Sequence, residues 1–104
     1  MLQPLFDVDV VESHRMAPVE DVAARAREAV ARPRGSAPLR DLAHDAVARA
    51  GTRQARTVIA VTDLTRDCPD GALVPALLAE LNAGGIPDAQ ITVVVAVGLH
   101  RETT

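Results

Sequence analysis

The fold is decided by the stretch Thr57-Val58-Ile59-Ala60-Val61-Thr62, which is followed directly by the polar cluster Asp63-Leu64-Thr65-Arg66. The stretch is rich in β-branched residues and shows no polar alternation, a pattern typical of a parallel strand covered on both faces. A second such run covers residues 91–97 and is followed by Gly98-Leu99-His100-Arg101. We therefore predict two buried parallel strands, at 57–62 and 91–97, with a polar cluster at each carboxyl end.

A helix predicted at about 72–83 connects these two strands. The turn Pro69-Asp70-Gly71 precedes it and Gly84-Gly85 ends it. Strand, helix and strand make a βαβ unit, so we expect an α/β, Rossmann-like fold. Two further helices are predicted at about 18–31 and 38–50, the second capped by Ser36, and residues 5–11 allow an edge strand. Residues 1–104 are expected to form a single partial domain.

The composition excludes several classes of function. The net charge is −3 and Phe6 is the single aromatic residue, so we expect no nucleic-acid module with a basic face or an aromatic stacking platform. All eleven Lys or Arg positions are arginine, which excludes a lysine-tethered cofactor within the chain. A single cysteine, no long apolar span and no signal-peptide pattern predict a cytoplasmic protein that makes no membrane contact.

Two side chains are the main candidates for chemistry. Ligands of open α/β sheets bind where parallel strands end, and Arg66 and His100 belong to the two strand-end clusters. A guanidinium can donate two parallel hydrogen bonds to a carboxylate or phosphate, and an imidazole suits proton transfer near neutral pH. Two other interpretations stay open: Arg66 pairs with Asp63 or Asp67 at the surface, and His100 is a loop residue bonded to backbone carbonyls.

Four neighbouring residues complete the candidate site. Asp63 either orients a substrate or a base, or caps its own loop, which is the commonest role of such an aspartate. Thr65 either donates a hydrogen bond to a carboxylate or closes a turn, and Arg101 either binds an anion or is solvated. Gly98 permits a positive φ or a close backbone approach beside His100.

No metal site is predicted from the remaining titratable residues. Cys68 is interpreted as a small filler, because no base stands beside it in the sequence. His44 falls on the polar face of the second helix and His14 lies in the irregular leader. Two scattered histidines and one cysteine lack the spacing of a metal-binding motif.

Three segments resemble the nickel-dependent lactate racemase family. Residues 58–66 are similar to the strand and D-x-T-R segment of that family, and residues 94–101 are similar to its A-x-G-x-H-R segment. The upstream run 29–39 is similar to the family's leader, A-L-x-x-P-x-G-S-x-x-L. Leu64 and Leu99 stand where the family commonly has a histidine and a threonine. The resemblance extends from about residue 25 to the end, with the three motifs in order.

This resemblance implies a racemase or epimerase of lactate or another 2-hydroxy acid, with a nickel pincer nucleotide as cofactor. It implies that a histidine removes the hydroxyl proton while hydride moves from the α-carbon of the substrate to the cofactor. His100 matches the first of two catalytic histidines and Arg66 matches a substrate-contacting arginine. Asp63 and Thr65 match the same active-site loop.

The resemblance further implies that the chain is the N-terminal portion of a longer enzyme and is inactive alone. The lysine anchor of the cofactor, a second catalytic histidine and a nickel-ligating histidine are expected outside it. The expected partners are a small 2-hydroxy acid and the remainder of the polypeptide. A two-stranded sheet is thin, which also allows self-association through an unpaired edge. The alternative is a small α/β carboxylate-binding or interaction module without catalysis, using Arg66 and Arg101.

Overall fold

The computed structural model describes residues 5–99, which contain three α-helices and a two-stranded parallel sheet. In chain order the elements are α1 Val22–Ala31, α2 Leu39–Ala50, β1 Thr57–Thr62, α3 Asp70–Ala83 and β2 Ile91–Ala96, with a 3-10 turn at Asp88–Gln90. The predicted α/β class is confirmed, and β1, α3 and β2 follow one another as a βαβ unit does.

The two strands begin and end together. Thr57 of β1 lies opposite Ile91 of β2, and Thr62 lies opposite Ala96. Because the strands are parallel, α3 must carry the chain back from the end of β1 to the start of β2. Both carboxyl ends therefore lie at the same edge of the sheet.

The hydrophobic core lies between one face of the sheet and the helices α2 and α3. Ile59 of β1 is buried there with Ala43 of α2 and Leu81 of α3. Helix α3 also contacts α1, and Arg40 of α2 forms an ion pair with Glu80 of α3 at 2.9 Å. Helix α3 is thus the element that joins β1 to both other helices.

Helices α2 and α3 come close together at Gly84, directly after the end of α3. A Cβ atom at this position would lie 2.4 Å from the Ala43 Cβ and 2.5 Å from the Arg40 carbonyl oxygen. The φ of Gly84 is −78°, which any residue adopts. Glycine is therefore required here for space between the helices and not for backbone conformation.

The prediction that both strands are covered on both faces was wrong. Along β1 burial alternates, because Ile59 faces the core while Val58 is 64% exposed and Ala60 is also exposed. On β2 only Ile91 packs against the core, and the three valines at 93–95 are 39–47% exposed. The outer face is mostly apolar, with Thr62 and Thr92 as its polar residues, although no element within residues 5–99 covers it.

Three predictions for the first half of the chain were also wrong. Residues 5–11 form no strand and are exposed. Helix α1 begins later than predicted because Asp21 is its N-cap, where the carboxylate accepts a hydrogen bond from the Ala24 backbone N–H at 2.9 Å. Ser36 caps no helix, since Pro38 occupies the N-cap position of α2 and makes no side-chain capping bond.

Helix α3 begins at Asp70, before the predicted start, so Pro75 lies beyond the opening turn. Proline has no N–H and cannot bond to the carbonyl of the residue four positions earlier, which here is Gly71. Gly71 and Pro75 are both exposed, so water can reach this part of the helix. The proline is therefore tolerated inside α3 without a buried, unpaired carbonyl.

Candidate functional site

The candidate site lies where β1 and β2 end. Thr62 and Ala96 are partners in the parallel register, so the segments that follow them leave the sheet side by side. The first segment, residues 63–69, joins β1 to α3, and we call it the Arg66 loop. The second segment begins at Val97 and leads through Gly98 to Leu99, the last residue that the structure describes. The predicted juxtaposition of the two strand-end segments is confirmed at the level of the backbone.

Asp63 fixes the first half of the Arg66 loop. It is 3% exposed, and its carboxylate accepts hydrogen bonds from the Thr65 backbone N–H at 3.0 Å and from the Thr65 hydroxyl. The Asp63 carbonyl oxygen also accepts a bond from the Arg66 backbone N–H at 3.2 Å. These bonds form an Asx-type turn. Asp63 thus caps its own loop and Thr65 closes the turn, which are among the roles that the sequence left open for them.

Arg66 is exposed at this edge, and its guanidinium takes part in no ion pair between residues of the 5–99 segment. Arg66 therefore does not form the ion pair with Asp63 or Asp67 that the sequence left open. A guanidinium without a carboxylate partner retains its capacity to bind a planar anion through two hydrogen bonds. The Asx-type turn places Arg66 directly after the end of β1.

Gly98 has a φ of +59°, which is the left-handed conformation that glycine adopts at little cost. It turns the backbone directly after β2, as the sequence predicted, and an added Cβ would meet no atom of residues 5–99 within 4 Å. The left-handed φ is the reason that a glycine suits this position. His100 and Arg101 lie outside the described residues, so the meeting of Arg66 with His100 stays a prediction.

Asp70 holds the second half of the Arg66 loop, a role that our sequence analysis missed. Its carboxylate accepts hydrogen bonds from the Thr62 hydroxyl at 3.2 Å and from the Cys68 thiol at 3.2 Å. The bond to Asp70 is the largest factor that raises the pKa of the Cys68 thiol, and desolvation adds to it. The available signal was an acidic residue directly after a proline at the start of a helix.

The other titratable candidates stand apart from this edge. His14 and His44 are both exposed, as predicted for His44. Residues 5–99 contain no group of three or more His, Cys, Asp or Glu side chains that could hold a metal ion. Over the same residues no helix has both the length and the apolar character needed to cross a bilayer.

Comparison with known families decides the assignment. A family model described as the lactate racemase N-terminal domain matches residues 2–104. The chain belongs to this family. The match includes all three motifs on which the resemblance was based and extends it towards the start of the chain. A comparison with curated proteins gave no significant match. Membership places the chain with the N-terminal parts of racemase-like enzymes.

The residues of this chain do not fit the role of cofactor anchor. The resemblance described above implies a nickel pincer nucleotide attached through a lysine, and the sequence contains no lysine. Residues 5–99 also contain no cluster of His, Cys, Asp or Glu side chains that could hold nickel. A lysine-anchored cofactor would therefore need an anchoring residue that this sequence does not contain.

Proposed function

We propose that this chain is the N-terminal portion of a racemase or epimerase that acts on lactate or another 2-hydroxy acid. One observation supports the proposal most strongly. Arg66 is exposed at the edge where β1 and β2 end together, and no carboxylate of the described residues pairs with it. This is the edge at which α/β sheets bind ligands, and the family assignment supplies the class of ligand.

A 2-hydroxy acid carries one carboxylate and one hydroxyl, and we assign a different site residue to each group. We assign Arg66 to the carboxylate, because its planar fork of donors matches two carboxylate oxygens. We assign His100 as the base that takes the hydroxyl proton. Asp63 and Thr65 keep the Arg66 loop in its turn, and Gly98 directs the chain towards His100.

Arg101 is proposed as a second cation near the substrate carboxylate. The proposed partners are a small 2-hydroxy acid and the part of the enzyme that carries the lysine. The nickel pincer nucleotide, bound through that lysine, would supply hydride transfer in the complete enzyme. We expect the 104-residue chain to show no racemase activity when assayed alone, because it contains no lysine to hold this cofactor.

Arg66→Gln in the cofactor-loaded enzyme tests the carboxylate assignment. A hydrogen bond to a charged group contributes about 1.5–3 kcal/mol, so we expect KM for lactate to rise about 10-fold to 100-fold. A change in kcat smaller than the change in KM would indicate binding in the ground state as well as in the transition state. Arg56→Gln is the matched control, because Arg56 is an exposed arginine at the opposite end of β1. Equal KM values for the two variants would exclude the assignment.

His100→Ala tests the base role separately. General base catalysis contributes about 10²-fold to 10⁴-fold, so kcat should fall by that amount while the protein stays folded. Normal turnover in the variant would refute the assignment. If the complete enzyme binds lactate through Arg66 but converts none, the carboxylate-binding module without catalysis becomes the better account.

A further inference from the structure

The Asp70 carboxylate connects the end of β1 to the last part of the Arg66 loop. Thr62 is the last residue of β1 and Asp70 is the first residue of α3, and the Thr62 hydroxyl donates to Asp70 Oδ2 at 3.2 Å. Cys68 lies inside the loop, and its thiol donates to Asp70 Oδ1 at 3.2 Å. Asp70 thereby joins the strand that precedes the loop to the last part of the loop itself.

The two halves of the loop are restrained by different aspartates. Asp63 bonds to Thr65 and receives the Arg66 backbone N–H on its carbonyl oxygen. Asp70 restrains the other half through Thr62 and Cys68. Arg66 lies between these two sets of bonds, and its guanidinium contributes to neither. The loop is therefore fixed without use of the positive charge that the substrate would need.

The chemistry of the donors suits this arrangement. A hydroxyl and a thiol are uncharged donors, and no ion pair joins Asp70 to an arginine within residues 5–99, so the restraint of the loop does not occupy the Arg66 guanidinium. The carboxylate in turn raises the pKa of the Cys68 thiol, so the thiol stays protonated and remains a donor at neutral pH. Asp70 also lies in the first turn of α3, where a negative charge interacts favourably with the helix dipole.

We propose that Asp70 is a positioning residue that keeps Arg66 at the strand end, through its bonds to Thr62 and Cys68. Its effect on substrate binding rests on the proposed function, whereas the restraint of the loop rests on the hydrogen bonds alone. Asp70 touches no substrate in this proposal. Misplacement of a group by about 1 Å can cost about 10²-fold in reaction rate, and hydrogen bonds also weaken steeply when they are misaligned, so a loosened loop should raise KM for the substrate.

The first readout is the reactivity of Cys68, which requires no cofactor. Cys68 is the single cysteine of the chain, so alkylation by iodoacetamide reports on it alone. Removal of the carboxylate in Asp70→Ala should lower the pKa of the thiol, because the hydrogen bond to Asp70 is the largest factor that raises it. At neutral pH a larger fraction of the thiol is then ionised, and this gain exceeds the loss in nucleophilicity of a less basic thiolate, so we expect alkylation to become several-fold faster.

Asp67→Asn is the matched control for this measurement. Asp67 lies in the same loop and is exposed, and it is the last and weakest contributor to the raised pKa of Cys68. We expect its alkylation rate to stay close to that of the unsubstituted protein. Asp70→Asn retains one side-chain oxygen that can accept one of the two bonds, so its rate should fall between those of Asp70→Ala and the control.

The second readout is KM for lactate in the cofactor-loaded enzyme. Asp70→Ala should raise KM about 10-fold with a smaller change in kcat, and Asp70→Asn should restore part of the loss. If Arg66→Gln raises KM while Asp70→Ala changes neither KM nor alkylation, the positioning role is refuted and the proposed function stands. If Asp70→Ala speeds alkylation while Arg66→Gln leaves KM unchanged, the proposed function fails and the loop restraint stands. Circular dichroism identifies unfolding of Asp70→Ala, in which case Asp70→Asn decides.

Discussion

Gly84→Ala tests the packing of α2 against α3. The added methyl carbon would lie 2.4 Å from the Ala43 Cβ and 2.5 Å from the Arg40 carbonyl oxygen. Nonbonded carbon atoms ordinarily approach no closer than about 3.5–4.0 Å. Neither contact atom can rotate away, since one is backbone and the other is a Cβ. The helices must therefore separate, and this would disturb the core that buries Ala43 and Leu81.

The size of the effect follows from known overpacking costs. An extra methyl group in a tightly packed contact costs about 1–3 kcal/mol. A loss of 2 kcal/mol lowers the melting temperature of a domain of this size by about 8–16 °C. No gain offsets this loss, because Gly84 already has an ordinary φ of −78° and alanine brings no relief of backbone strain. We therefore expect a fall of about 10 °C.

Thermal unfolding followed by far-ultraviolet circular dichroism is the assay, because the chain has no tryptophan or tyrosine for intrinsic fluorescence. Gly71→Ala is the control. An added Cβ at Gly71 meets nothing within 4 Å, and the residue lies in the first turn of α3. Alanine there should be neutral or stabilise the protein by up to about 1 kcal/mol. A Gly84→Ala protein that melts at or above the unsubstituted temperature would refute the packing of α2 on α3 described above.

Three further predictions concern the sheet and its loop. Ile59→Ala should lower the free energy of unfolding, measured in urea, by about 2–5 kcal/mol. Val58→Ala on the outer face should change it by less than about 0.5 kcal/mol. Equal losses for the two variants would contradict a core on one face of the sheet. Thr65→Val removes the hydroxyl that donates to the buried Asp63 carboxylate and should lower the free energy of unfolding by about 1–3 kcal/mol. Thr65→Ser keeps the hydroxyl and should have a stability close to that of the unsubstituted protein. A Thr65→Val protein of unchanged stability would contradict the turn. The outer edges of β1 and β2 have no strand partner within residues 5–99, so we expect self-association in sedimentation over a dilution series, and weaker association for Val94→Lys. A monomer at every concentration would exclude it.

The strands and the helical connection were predictable because local patterns specify them. The β-branched runs predict both ends of β1 correctly and predict the end of β2 one residue too late. The parallel order followed from the intervening helix, and the neighbouring strand ends followed from the parallel order. This is why the position of Arg66 at the edge of the sheet could be predicted from the sequence.

The coverage of the strands could not be predicted in the same way. An apolar residue such as Val58 or Val94 shows that a face can be buried, but the pattern does not show what covers it. Both residues are well exposed within the described part of the chain. The predicted start of α1 at Pro18 was wrong for a local reason. The Asp21 side chain caps the helix, so the helix begins after Asp21 and not at the proline.

The sequence predicts which described candidate residues follow the ends of the strands, but it does not specify the hydrogen bonds that they form. The sequence left two roles open for Asp63, and only its burial and its bonds to Thr65 show that it holds the turn. Asp70 gave no functional signal, because its partners Thr62 and Cys68 become neighbours only when the loop folds back to α3. Hydrogen bonds of this kind depend on the path of a loop, which residue patterns specify weakly.

We propose above that Arg66 binds the carboxylate of a 2-hydroxy acid. A double-mutant-type cycle tests this pairing, because it removes the guanidinium from the protein and the negative charge from the ligand, separately and together. Dissociation constants are measured by calorimetry for lactate and for uncharged lactamide, with the cofactor-loaded enzyme and with its Arg66→Gln variant. We expect the unsubstituted enzyme to prefer lactate by about 10-fold to 100-fold, the value of a charged hydrogen-bonded pair, and the variant to lose most of this preference. The same preference for lactate in both proteins would contradict it.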